Sequence, residues 1–262
     1  YQFAISYSLG LEQEQLSEES SEVLLRSIDG MDATQYKEFS DFIVETWTRT
    51  DRLVMILVEN KNHIDLTFLT EIMQSMRRND LDLFAGFLAM EIASDVPVQE
   101  DRVALGDLVE LLFNLNQPER AFALIERIRS ESQPDFLLAR VAILSGHYYR
   151  KDRDYLDALE QYETAESLGV KTEQLALKLY YCRRKIVESY PALEELTKMV
   201  NRFPGSATVR YELGRQYERL GENLKALKEF RTANAISRGQ FEAEIKRVQS
   251  KLNINSLPVI IE

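Results

Sequence analysis

A step of 34 residues runs through the second half of the chain. Gly146, Tyr180 and Gly214 keep it, and so do Ala158, Ala192 and Ala226. A further ladder of Tyr162, Leu196 and Phe230 is followed three residues on by Ala165, Met199 and Ala233. A fixed period of this size means stacked supersecondary units, none of which buries its apolar face alone. Each unit reads as two helices, because the runs are rich in Leu, Ala, Glu, Lys and Arg and the 262 residues hold only 10 Gly and 6 Pro. The clearest copy is RYELGRQYERLGENLKALKEFRTANAIS. In it, small side chains at Gly214 and Ala226 let two antiparallel helices approach, Tyr217 and Phe230 fill the space between them, and Ala233 makes room for the next helix.

This pattern resembles the tetratricopeptide repeat. In the preceding good copy Gly146, Tyr149, Ala158, Tyr162 and Ala165 all fall on the motif. The copy between departs from it: Tyr180 occupies the small position and Arg183 an aromatic one, while Ala192, Leu196 and Pro204 fit. Upstream, Leu108, Leu112, Ala121, Ile125 and Ile128 make a degenerate copy, and Ile72, Met76, Ala85 and Ile92 a weaker one. The small-residue ladder then runs through Ala85, Ala121, Ala158, Ala192 and Ala226 in steps of 36, 37, 34 and 34, with the extra residues in turns such as residues 130–134. Where the family often has tryptophan early in the first helix, Ala142, Ala176 and Arg210 stand. The resemblance spans residues 136–238, weakens over 65–133 and is absent before that. It implies an all-α, right-handed α-solenoid of antiparallel helix pairs, with a less regular helical N-terminal part and a C-terminal capping helix. The expected division is 1–64 (degenerate), 65–133 (degenerate repeats), 134–238 (three repeats), 239–253 (cap) and 254–262 (apolar tail).

Helical spacing of Tyr36, Phe39, Phe42, Ile43 and Trp47, with Asp32 or Thr34 as cap, predicts a buried helix. The polar residues 12–21 read as a turn or loop before the short amphipathic run Val23, Leu24, Ile28. The apolar run 53–58 suits a buried strand or a buried helix; helix is favoured because nothing nearby supplies partner strands. Further helices are expected near residues 65–77, 80–93, 101–115, 136–149, 155–168, 172–187, 191–202, 207–220 and 224–236, with Pro118 in the first turn of another. The cap, 240–252, carries Phe241, Ile245, Val248 and Leu252 on one face. Residues 1–11 read as the tail of an earlier helix. Because residue 1 is Tyr, the chain is expected to be a processed product or an excised piece.

The net charge of −11 argues against general attraction to nucleic acid or anionic lipid. No apolar run reaches the length of a membrane-spanning helix, so direct membrane insertion is not expected. The motifs G-x-x-x-x-G-K-[ST], G-x-G-x-x-G and H-E-x-x-H are missing from the chain, and its two histidines, His63 and His147, lie far apart and read as turn or surface residues. Cys182 stands beside Arg183 and Arg184, which would favour a thiolate, but shares a helical face with Leu175, Leu179 and Ile186, which favours burial. Glu194 and Glu195 read as a solvated face. No catalytic residue, metal or cofactor is assigned.

The resemblance implies that the first helices line an inner face. Mapped onto it, the candidate partner-binding residues are His147, Arg150, Tyr181, Arg184, Tyr211 and Arg215, with Ile143, Leu177 and Glu218 alongside. Arginine forks and aromatic faces suit an acidic or carboxylate-bearing segment of another protein. Cations near helix C-termini also favour the macrodipole with no ligand. The family's carboxylate clamp for chaperone tails needs Lys and Asn positions that His147, Leu177 and Tyr181 do not reproduce. The expected function is a noncatalytic interaction scaffold or adaptor. The alternatives are a peptide-sensing regulatory module of a larger protein and an accessory subunit of an enzyme complex. Homo-oligomerisation stays open: residues 1–60, with Trp47 and several Phe, are a second candidate for partner binding or self-association, and the tail Leu257–Ile261 for insertion into a groove.

Overall fold

A computed structural model describes residues 17–47, 49–98, 101–131, 133–187 and 191–252, and among these every regular element is a helix. The chain divides into two compact units, one up to Leu144 and one from Ser145 onward.

The first unit holds α1 (Ser17–Ile28), α2 (Ala33–Thr46), α3 (Thr50–Glu59), a 3-10 turn (Lys61–His63), α4 (Leu66–Arg78), α5 (Asp82–Ala93), α6 (Arg102–Asn114), α7 (Pro118–Ser130) and the start of α8 (Asp135–Lys151). Local chemistry sets the ends. Asp32 and Gln35 form a reciprocal capping box on α2, and Asp65 and Asp101 accept from the first-turn amides of α4 and α6. Pro118 opens α7, where no backbone donor is needed. α4 packs on α2, α5 and α6, and α6 on α7. Between them lies one core that includes Phe39, Ile43, Phe68, Met73, Leu88, Leu108 and Ile125.

The second unit continues with α9 (Tyr155–Ser167), α10 (Glu173–Ile186), α11 (Ala192–Arg202), α12 (Ala207–Arg219), α13 (Asn223–Ser237) and α14 (Glu242–Lys251). Two of its hairpins depend on glycine. A Cβ on Gly146 would stand 2.6 Å from Tyr162 Cε1, and one on Gly214 2.8 Å from Phe230 Cε1. The ring of each second helix therefore lies flat over a first helix that has no side chain there. In the middle hairpin the sizes are exchanged: the buried ring is Tyr180 on the first helix, and Leu196 faces it from the second. Ala158, Ala192 and Ala226 are all buried, as are Ala85 and Ala121 in the first unit.

The same turn closes four hairpins. Asp80, Asn116, Arg153 and Gly221 have φ of 60°, 57°, 68° and 76°. The amide that follows each reaches back to a carbonyl five residues earlier, at 2.9, 2.8, 2.9 and 2.9 Å for Leu81, Gln117, Asp154 and Glu222. This is a left-handed helix C-cap of the Schellman type. At the equivalent place in the middle hairpin, 34 residues from both Arg153 and Gly221, Val187 stands in extended conformation with φ −107°. A β-branched residue resists positive φ, so that helix ends differently.

Several sequence expectations change. Residues 17–21 belong to α1 and not to a loop, since glutamates near a helix N-terminus complement its macrodipole; residues 12–16 lie outside the described set. The run 53–58 is helical, as favoured, with Leu53, Val54, Ile56 and Leu57 buried. Trp47, Phe39 and Tyr36 are also buried, so the aromatic N-terminal region is core and offers none of these rings to a partner. The reading of residues 1–11 as the tail of an earlier helix, and the apolar tail from Asn253, lie outside the described residues.

Candidate functional site

Contacts between successive first helices of the second unit recur at about one repeat's separation. His147 on α8 meets Lys178 on α10, Tyr181 on α10 meets Glu212 on α12, and Glu218 on α12 meets Arg247 and Lys251 on α14. The first two pairs are both 31 residues apart. The face these helices share is thus built from paired side chains in register.

Its centre is Glu212, whose side chain is only 3% exposed. Tyr181 Oη donates to Glu212 Oε1 at 2.6 Å, and Arg215 Nη1 stands 3.4 Å from the same oxygen. Glu212 Oε2 has no hydrogen bond, and Arg184 Nη1 is 3.8 Å away. The Arg184 guanidinium lies 5.5 Å from the Tyr180 ring centroid and 5.2 Å from that of Tyr181. Burial, and then the hydrogen bond to Glu212, hold the Tyr181 phenol well above its ordinary pKa. One carboxylate with two guanidiniums leaves this cluster a net positive charge. Arg215, with 45% of its side chain exposed, is the cation turned most toward solvent.

Tyr211 is placed differently from the expectation that it faces a ligand. Its ring stacks on Phe241 at 4.7 Å and leans on Phe230 at 5.7 Å, so it seats the segment leading into α14. Arg215 covers its outer side, 5.8 Å from the centroid. Glu218 is likewise occupied, accepting from Arg247 Nη2 at 2.8 Å and Lys251 Nζ at 2.7 Å.

At the other end of the face, His147 is neither in a turn nor fully exposed; it sits within α8, half-buried, its ring edge-on to Tyr162 at 5.9 Å. Lys178 Nζ approaches His147 Nε2 in hydrogen-bonding contact. Burial, with the charges of Lys178 and Arg150 added, lowers the His147 pKa to about 4. Arg150, one turn further along α8, is exposed.

Sequence reasoning missed Glu212 and Lys178. A glutamate among Arg, Tyr and Gln on a polar helix carries no sign of burial, and only the 31-residue offset from the first-helix residues Tyr181 and His147 points to either. Cys182 is fully buried and burial raises its thiol pKa, so packing prevails over the neighbouring arginines. Arg183, at an aromatic position of the motif, bridges Glu163 at 2.9 Å and Glu195 at 3.0 Å. Glu195 is therefore tied to its neighbours and not simply solvated. Among the described residues no group of His, Cys, Asp and Glu is arranged to hold a metal. No described helix is long and apolar enough to cross a membrane.

Antiparallel hairpins repeated in register, each with a buried alanine on its second helix, define a helical-repeat protein of the α-solenoid class. No family model matches the chain, and no curated protein does. Among solved structures, the crystal structure of MamA aligns with a TM-score of 0.51 and 17% identity, over 64% of this chain and 95% of that one. A second MamA structure gives 0.49 and 16%, over 75% and 98%. A tetratricopeptide repeat protein from Parabacteroides merdae ATCC 43184 gives 0.44 and 13%, over 97% and 99%. The fold is tetratricopeptide-like.

Proposed function

We propose that this chain is a noncatalytic interaction scaffold or adaptor, and that the first-helix face of its second unit holds an acidic or carboxylate-bearing segment of a partner protein. The observation that carries this reading is the Tyr181, Glu212, Arg184 and Arg215 cluster. Glu212 fixes both guanidiniums while cancelling only one of their charges, so Arg215 is pre-oriented and keeps donors free for an incoming carboxylate. Arg150 adds a second exposed cation on the same set of helices. The cations stand out in a chain of net charge −11, which makes the face a local exception able to select acidic segments.

Hydrogen exchange tests this with an N-acetylated glutamate-rich peptide bearing a free C-terminus. Protection is expected in α10 and α12, and it is expected to vanish in an Arg150→Gln, Arg215→Gln variant whose melting temperature is unchanged. Protection confined to the first unit, or equal in the variant, would reject the assignment. Arg184 is left out because its loss would leave Glu212 short of compensation.

A further inference from the structure

Lys178 and Tyr162 are not accounted for by the acidic-segment reading centred on Glu212, which uses Arg150 only as an exposed charge and gives His147 no contact. Lys178 is half-buried between α8 and α9, its Nζ against His147 Nε2 and 6.0 Å from the centroid of the Tyr162 ring. The Tyr162 hydroxyl is buried, and Arg150 is the side chain that approaches it. Among the described residues no carboxylate forms an ion pair with Lys178, His147 or Arg150, whereas Arg183, Arg184, Arg210, Arg247 and Lys251 of the same unit each have one. The groups bearing on His147 and Lys178 are cationic: Lys178 and Arg150 for the first, Arg150 for the second. Tyr162 is approached by Arg150 through both charge and hydrogen bonding, with the Cys182 side chain facing it from α10. A half-buried ammonium without a counter-charge, a buried phenol approached only by a cation and a neutral imidazole next to a second cation are an incomplete site.

We propose that Lys178, His147, Arg150 and the Tyr162 hydroxyl form a seat for a tetrahedral oxyanion of the phosphate type, free or carried on a partner's side chain. Four donor groups on three helices offer more hydrogen bonds than the two oxygens of a carboxylate can accept. A phosphate monoester presents three acceptor oxygens and up to two negative charges, matching the two permanent cations. Burial first, and then the charges of Lys178 and Arg150, keep His147 neutral; an anion arriving there would offset them, so binding takes up a proton at that ring.

The chain has only two histidines, and His63, exposed in the 3-10 turn of the first unit, is an internal control. The test follows both imidazoles of the full chain by NMR as a function of pH, at matched ionic strength, with chloride, inorganic phosphate or a phosphoserine peptide. Phosphate or the phosphopeptide is expected to raise the His147 midpoint by about one unit or more and leave His63 where it was. A response to both, or to the peptide alone, tells whether the anion arrives free or carried. Lys178→Met should abolish the response, Lys178→Arg should keep it, and Arg215→Gln should not affect it, which separates this seat from the Glu212 cluster. An unmoved His147 midpoint with both probes, or an equal response in Lys178→Met, overturns the proposal.

Discussion

Tyr181 Oη donates a 2.6 Å hydrogen bond to Glu212 Oε1 across two first helices, and so neutralises part of a carboxylate that solvent does not reach. The bond couples the architecture to the candidate site: it locks neighbouring repeats together and fixes the carboxylate that orients Arg184 and Arg215. Tyr181→Phe deletes the donor and little else. The expected loss is about 1 to 3 kcal/mol of stability, because a buried charged acceptor is left without its partner. Urea unfolding measures it.

The second prediction concerns the hairpins. Gly214→Ala places a Cβ 2.8 Å from Phe230 Cε1, and should cost about 1 to 3 kcal/mol through overpacking. Combining it with Phe230→Leu, the size found opposite Tyr180 in the middle hairpin, should cost less than the two single changes added together. Strict additivity in a double-mutant cycle would mean that the ring and the glycine do not share one space.

Acid sensitivity should centre on His147. Its folded pKa of about 4 lies below the ordinary 6.5, so between these values the unfolded chain binds more protons and stability falls as pH falls. Above pH 6.5 the penalty is absent. Because the ring is only half-buried, screening reduces the effect to about 1 kcal/mol. Comparing wild type with His147→Asn from pH 6.5 to pH 4.5 checks the sign, since the carboxylates titrate alike in both proteins.

The capping helix should depend on Glu218. Hydrogen bonds from Arg247 and Lys251 hold its carboxyl below the usual range, so the stability they lend is present near neutral pH and is lost as pH falls through the folded pKa. Glu218→Gln should speed hydrogen exchange in α14 while leaving α9 and α10 unchanged.

The repeat was legible from end to end of the second unit, because Gly146, Ala158, Tyr162, Gly214, Ala226 and Phe230 each do one job set by size. Helix ends were legible to within a residue or two where Asp32, Asp65, Asp101 and Pro118 cap them. The exchange of large and small at Tyr180 and Leu196 was visible as a departure from the motif but not as a solution, since complementarity lies between two residues and the motif lists one at a time. Similarly, the positions of Arg150, Arg184 and Arg215 followed from the first-helix register, whereas the centre that organises them did not. Nothing local marks Glu212 for burial among the polar residues of its own helix; its burial comes from the neighbouring repeat, which supplies Tyr181. The stacking of Phe241 on Tyr211 was out of view for the same reason, since the two lie far apart along the chain.

The central claim is that the first-helix face of the second unit selects acidic segments through its uncompensated guanidiniums. Fluorescence anisotropy with a glutamate-rich peptide, beside a lysine-rich one of equal length, measures this most directly. Preference for the glutamate peptide, weakening as salt rises and about tenfold weaker in Arg150→Gln, Arg215→Gln, is the expected result. Equal binding of the two peptides, or unchanged affinity in the double variant, would contradict it.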